Sequence, residues 1–542
     1  MLHVSVSEKQ DKPTSLSTRT YLLVFLLLTV AVVLRFYDVT DRGLFQSDEG
    51  YYLLAARTER AALDWAVKRG LGLTDESIRE ALLRDGGTNP TAAKPGYHGL
   101  MVVTSILVGM QDYTGLAVSA VSGALTIVVV FCIGKMLYDD LTGLTAAAFL
   151  AVSNYHVTFS RSGLPGTTSV FFVMLGFLFY LQSTRQARLA NRWLFLAGFN
   201  IGYAFTCHYN LFYVPLVFGV FELVHCCKAR ALSSSKDRER AVKVRRLFLF
   251  SLSMLCPLLF FEAIYRPAKM LIYALGMGDI LAQTAFGQFF SYFEQIWHQI
   301  GPVAQSGAVA RDLLFYPKLV VYFDGYLVLL LFLIGLVVSL RNHRESSPGE
   351  QIALSLFFVA VLFWTLVSPL QFGRAFLLVT PLLALFSARG AVWLAGRKRA
   401  LALGLAVLVM GYGMYHALPT LHMRSGYREA IAYMQAHQGV KHISSVVTVS
   451  RTYVGVWNAQ HLVPLAEAQE LYDQGFRYLL LDQDRYISRG ELVERAGSLE
   501  PVFETAHSTD AFLYEDFTDE IRDRIRREPK VLRVYELAPL LY

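Results

Sequence analysis

Two adjacent carboxylates, Asp48 and Glu49, stand in the run LFQSDEGYYLLAAR, where a helical pattern begins. Such a pair reads in two ways. At a helix start a carboxylate accepts backbone N–H bonds and is favoured by the helix dipole, worth about 1 kcal/mol, and on pattern alone this cap reading comes first for Asp48. At the surface of an apolar bundle the same group can act as a general base. Four more polar segments interrupt apolar runs: KPGYH (94–98), SRSGLPG (160–166), CHYN (207–210) and QFGR (371–374). Each has an ordinary explanation. Lys94 and Arg161 can snorkel toward lipid headgroups, His208 can be a satisfied interfacial residue, and Arg374 can mark a helix end. Together, a carboxylate pair and several cations at one level imply a polar cavity. Its chemistry would be attack by a hydroxyl or amine on a phosphate-linked, lipid-carried group. The carboxylate would remove the proton, the cations would hold the phosphate as it gains charge, and apolar walls would admit the lipid tail.

The elements that must position these residues are mostly membrane spans. A chain of 542 residues that is 54% hydrophobic and 17% charged is too apolar for a soluble domain. About 20 apolar residues cross the hydrocarbon core, and eleven runs suggest themselves: 21–35, 116–137, 141–157, 165–181, 193–207, 209–227, 247–265, 319–340, 352–369, 375–393 and 400–418. The run 97–111 is shorter and carries His98, so it reads as an interfacial helix, as does 49–69. With a cytoplasmic N-terminus the inside segments hold 21 basic and 8 acidic residues, a net of +13, and the outside segments 26 basic and 32 acidic, a net of −6. The overall charge of +7 therefore records orientation and offers no nucleic-acid surface. The five cysteines lie in or beside apolar runs without CxxC spacing, which excludes a disulfide scaffold or zinc ribbon.

The expected architecture is an α-helical polytopic membrane protein with about 11 transmembrane helices plus interfacial helices (residues 1–418), followed by a small C-terminal α/β extracytoplasmic domain (419–542). A first outer loop spans 38–115 and a second 266–324. In the C-terminal part the pattern predicts a helix at 427–438, a β-branched strand at 443–449, a helix at 466–474, and strands at 477–481, 511–515 and 531–536. No nucleotide-phosphate loop, GxGxxG or HExxH occurs there.

The segment LRFYDVTDRGLFQSDEGYYLLAAR resembles the first-loop signature of polyprenyl-phosphate-sugar-dependent glycosyltransferases of the GT-C fold, a superfamily that includes protein O-mannosyltransferases and lipid A aminoarabinose transferases. The resemblance implies that Asp48 is the catalytic base, with Glu49 supporting it by a hydrogen bond or a metal. AAKPGYHGL looks like the family's Glu-Lys-Pro-Pro segment, which would make Lys94 a donor-phosphate ligand; Ala93 and Gly96 depart from that pattern. FSRSGLPGTTSVFF and PLQFGRAFLLVTPLLALFSARG look like two further family segments, adding Arg161 and Arg374 to the phosphate site. In the first of these the family's second Asp is replaced by Gly166. Tyr51, Tyr52, Tyr97, His98, His208, Tyr209 and Asn210 would line the substrate cavity. Metal dependence stays open, because Glu49, His98, His208 and His298 show no ligand spacing.

The implied activity is inverting transfer of a hexosyl or pentosyl unit from a polyprenyl-phosphate donor to a protein, lipid or polysaccharide acceptor on the outer face. The expected setting is a bacterial inner membrane, with membrane lipids as partners and no nucleotide cofactor. The rivals are a transporter or flippase of lipid-linked sugars and a non-catalytic assembly protein working through its C-terminal domain.

Overall fold

A computed structural model describes residues 17–68, 94–231, 237–274, 291–300, 312–342, 346–368, 371–396, 398–482, 490–508 and 530–541. The predicted segment 511–515 lies outside them. Apolar composition and local caps explain most helices. Ser17 accepts the Thr20 N–H, Asp139 accepts that of Thr142 at 2.7 Å, and Ser347 caps a helix that has Pro348 in its first turn.

Among the described residues, seven helices are long and apolar enough to cross a membrane: Thr18–Arg42, Thr114–Leu137, Gly166–Arg185, Ala241–Tyr265, Phe315–Arg341, Pro348–Val367 and Arg399–Leu421. Their outward faces carry bare apolar side chains such as Leu22, Phe25 and Phe248, as a lipid-facing surface must. The other four expected spans are shorter or more polar. Ala190–Cys207 contains Arg192 and Asn200, while Tyr209–Val224 and Val379–Ala395 are shorter apolar helices.

The expected span 141–157 is broken. Asp140–Val152 ends after 13 residues, about 20 Å, and Ser153 starts a separate helix, Asn154–Ser160. The break is held from outside. Asp324 accepts the Ser153 hydroxyl at 2.9 Å and the Tyr155 N–H at 3.4 Å. Counted as a loop charge in sequence, Asp324 is in fact 7% exposed and sits within Phe315–Arg341, beside a kink at Gly325 with φ 84°.

On the face reached by the end of the first span lie the two helices predicted to be interfacial, Ser47–Lys68 and Pro95–Val108. The second leaves Val103, Ile106 and Leu107 bare and buries Tyr97, His98 and Met101. The chain after Leu421 forms an α/β unit on this same face. Its sheet has the order β2-β1-β3-β5-β4, with β1 (His442–Ser444), β2 (Ala459–His461), β3 (Tyr478–Asp482), β4 (Phe503–Ala506) and β5 (Val531–Glu536). β2, β1 and β3 are parallel, and β5 runs antiparallel to β3 and β4. Period-two alternation splits β3. Tyr478 and Leu480 join the core shared with the bundle, whereas Leu479 and Leu481 pack with Leu492, Val493 and Leu540.

The strand predicted at 443–449 stops at Ser444. Val447–Val454 is a helix despite its β-branched residues, because it docks on Ser47–Lys68 and tertiary packing overrides propensity. That docking is polar at its margins. Thr448 Oγ1 donates to the Ser47 carbonyl at 2.8 Å and Arg57 donates to the Thr452 carbonyl. Nearby, Asp112 accepts from Arg428 Nε and from the Tyr453 hydroxyl, each at 2.8 Å, so the C-terminal unit and the membrane bundle share one interface.

Candidate active site

Asp48 and Tyr52 lie four residues apart on Ser47–Lys68 and therefore share a face. The Tyr52 hydroxyl donates to Asp48 Oδ2 at 3.3 Å. The same oxygen accepts from Arg374 Nη1 at 2.7 Å. Lys94 Nζ donates to the Tyr52 hydroxyl and stands 4.4 Å from the centre of that ring and 5.5 Å from that of Tyr209. One carboxylate, two cations and two tyrosines thus converge. The Asp48 side chain is 30% exposed, so the carboxylate can be reached, while Lys94 and Tyr52 are buried.

Each member is fixed by local structure. Lys94 is the N-cap of Pro95–Val108, whose first position is a proline with its φ set for a helix. The Tyr203 hydroxyl holds that helix start through the Gly96 carbonyl at 2.8 Å. Arg374 lies in the 3₁₀ turn Gly373–Phe376. The Tyr155 hydroxyl donates to the Gly373 carbonyl at 2.5 Å, and Tyr316 stacks on Phe376 at 4.2 Å. Asp324 therefore reaches the site indirectly, since it positions the helix that bears Tyr155.

The electrostatics favour an added anion. Burial and the neighbouring Arg374 guanidinium push the Lys94 ammonium down to about 7, against an opposing pull from Asp48. Burial, with Lys94 and Arg374 adding to it, drives His208 well below the usual histidine range, so its imidazole is neutral. Burial raises the Tyr52 phenol well above its ordinary value and keeps it a donor. With Lys94 protonated, the two positive charges of Lys94 and Arg374 face the negative charge of Asp48 among the described residues. A phosphodiester monoanion would balance them.

Not every expected residue joins this cluster. Glu49 is 2% exposed and turned into the protein. Its Oε2 accepts the N–H groups of Phe45 at 2.7 Å and Gln46 at 3.1 Å, and its Oε1 accepts Gly163 N–H at 2.7 Å and Arg42 Nη1 at 3.1 Å. Glu49 therefore holds the backbone at the helix start, as a capping residue does, and the structure places it there and outside the cluster. Arg161 also stands apart from the cluster. Its guanidinium donates to the carbonyls of Leu34, Arg35, Tyr37 and Leu421, tying the first and last spans together. Tyr97 is a core residue bonded to the Gly115 carbonyl at 3.0 Å, and His98 pairs with Glu59 at 3.3 Å. Both contact Tyr52 through their rings. Tyr51 is near Arg451 of the C-terminal unit. Asn210 is half-buried, its N–H donating to His208 Nδ1 at 3.3 Å.

Among the described residues, no three His, Cys, Asp or Glu side chains come together as a metal set; the His298 side chain is outside them. Sequence reasoning missed Arg42, the ion-pair partner of Glu49, although its place seven residues upstream was a usable signal. It also missed Tyr155 and Asp324, for which no local signal exists.

The family model for dolichyl-phosphate-mannose-protein mannosyltransferase matches residues 100–253. No functionally curated protein matches the sequence. Among solved structures, ArnT from Cupriavidus metallidurans bound to undecaprenyl phosphate is similar at a TM-score of 0.61, with 14% identity over 94% of this chain and 97% of that one. The Archaeoglobus fulgidus oligosaccharyltransferase AglB, in complex with an inhibitory peptide and a dolichol-phosphate, gives 0.53 with 13% identity over 86% and 69%. The chain is accordingly a membrane protein of the GT-C fold. It resembles the polyprenyl-phosphate-dependent glycosyltransferases, as the first loop implied.

Proposed function

We propose that the protein is a glycosyltransferase that moves a sugar from a polyprenyl-phosphate carrier to an acceptor at the membrane face bearing Asp48. The observation that carries this reading is the convergence of Asp48, Arg374, Tyr52 and Lys94. A base and two phosphate-compatible cations share one site, in a fold whose solved relatives hold undecaprenyl phosphate and dolichol-phosphate.

In the proposed reaction the acceptor hydroxyl or amine loses its proton to Asp48 as it attacks the anomeric carbon. The bond from that carbon to the phosphate oxygen breaks, and the phosphate leaves as the lipid monophosphate. One displacement inverts the anomeric centre. Lys94 and Arg374 stabilise the second negative charge on the leaving group, which appears only as the bond breaks and so contributes to the rate. Tyr52 orients Asp48. The acceptor class, the sugar and the bacterial inner-membrane setting belong to the same proposal, and the C-terminal unit beside the site is suited to acceptor docking.

Asp48→Asn tests the reading. Purified protein given polyprenyl-phosphate sugar and extracted acceptors should transfer sugar, while the variant binds the donor and transfers none. Full transfer by the variant would remove Asp48 from the mechanism.

A further inference from the structure

On the membrane face opposite Asp48, the helices Ala190–Cys207 and Asp237–Ala274 form a second feature. At mid-depth they touch. A Cβ at Gly198 would overlap Ser253 Oγ, and one at Gly202 would overlap the Met254 carbonyl oxygen. Glycines four residues apart permit this approach on one helix face. Toward the N-terminal ends of both helices bulky residues replace glycine, and a cleft of about 620 Å³ opens, lined by Asn191, Arg192, Phe195, Leu196, Arg245, Phe248 and Leu249.

The two walls repeat one pattern. Residues 192–196 read RWLFL and 245–249 read RRLFL, so each helix sets an arginine at the mouth and a Phe-Leu pair one turn deeper. The helices run in the same direction, since a single returning helix, Tyr213–Ala231, joins them. Both arginines therefore stand at one depth. Trp193, a residue type concentrated at membrane interfaces, marks that level. The local acidic group is already engaged: Glu222 accepts from Arg246 at 3.1 Å and from the Tyr180 hydroxyl at 2.7 Å. Among the described residues neither Arg192 nor Arg245 has a carboxylate partner.

We propose that this cleft binds an anionic glycerophospholipid, with the Arg192 and Arg245 guanidiniums on its phosphate and Phe195, Leu196, Phe248 and Leu249 along an acyl chain. Two planar guanidiniums lining one cleft suit a phosphodiester better than lysines would, because each can donate two parallel hydrogen bonds. Basic clefts between helices at headgroup level are where acidic lipids are selected from the bilayer. The apolar walls alone would accept any chain, so the specificity resides in the headgroup charge. A lipid there would act as a wedge, filling the splay that the glycine contact creates.

The full-length protein is purified from nanodiscs of phosphatidylcholine containing one-fifth phosphatidylglycerol, and retained lipid is counted by native mass spectrometry. One phosphatidylglycerol per chain is expected, with little phosphatidylcholine. Arg192→Gln combined with Arg245→Gln should lower that occupancy roughly tenfold or more. Equal retention of both lipids, or unchanged occupancy in the double variant, overturns the proposal. So does stoichiometric displacement by polyprenyl phosphate at equal concentration, which would make the cleft a carrier site. A second variant, Phe248→Trp, keeps both arginines and places a fluorophore on the exposed wall. Its emission should be quenched by brominated phosphatidylglycerol and much less by brominated phosphatidylcholine; equal quenching rejects the selectivity.

Discussion

Arg374 Nη1 donates to Asp48 Oδ2 across 2.7 Å, although 326 residues separate the two in sequence. The pair joins a 3₁₀ turn before one span to the first turn of a helix after another. It also sets up a competition, since a bound phosphate and Asp48 would draw on the same guanidinium. Arg374→Gln should weaken binding of a polyprenyl phosphate roughly tenfold to hundredfold, the usual worth of a charge-assisted hydrogen bond. Calorimetric titration with the lipid phosphate checks this, and unchanged affinity would place the phosphate elsewhere.

Lys94 should give the proposed donor step a pH dependence. Its ammonium, lowered to about 7 by burial and Arg374, is charged below that pH and neutral above it. A phosphate-binding role needs the charged form. Donor kcat/KM should therefore fall as pH rises through about 7 to 8, approaching tenfold per pH unit. Lys94→Arg keeps its charge throughout this range, so the alkaline fall should disappear even if the rate is lower. An identical alkaline limb in that variant would assign it to another group.

Glu49 should behave as a structural residue despite its place beside Asp48. Its three backbone donors and its buried ion pair with Arg42 mean that Glu49→Gln leaves unmatched groups inside, at a cost of about 3 kcal/mol. Thermal unfolding should show a large fall in Tm, whereas folded variant should keep a near-normal donor KM. A variant with native Tm and no turnover would return Glu49 to the chemistry.

Gly50 is a point of close backbone approach between the helix carrying Asp48 and the C-terminal unit. A Cβ at this position would stand 2.6 Å from the carbonyl carbon of Thr448. Backbone cannot yield as a flexible side chain can, so Gly50→Ala should separate the two helices at an overpacking cost of about 1–3 kcal/mol. Limited proteolysis should then cut the C-terminal unit faster, with a matching loss of kcat. Native protease resistance would show that the contact is slack.

The three charged members of the candidate site were legible because polar residues at span ends are rare enough to stand out. Asp48, Lys94 and Arg374 were all named from that pattern and the family likeness, and all three meet. Glu49 and Arg161 carried the same signal with a different outcome. A buried carboxylate and a buried guanidinium look alike in sequence whether they face substrate or satisfy backbone groups. Their orientation decides, and orientation depends on the Phe45 and Gly163 N–H groups or the Leu421 carbonyl, which composition does not reveal. The break at Ser153 was hidden for a related reason, since it is held by Asp324 from a helix far along the chain.

The sequence by itself determined the membrane class, most helix positions and the asymmetric distribution of basic residues. These follow from hydropathy and charge, properties of local segments in contact with lipid or water. Tertiary structure alone decided which polar groups face one another. Hydrogen bonds act over about 3 Å, whereas the partners of Asp48, Tyr155 and Thr448 lie hundreds of residues away. The bundle must close before Arg374 reaches Asp48, and the C-terminal unit must dock before the helix that bears that carboxylate is braced.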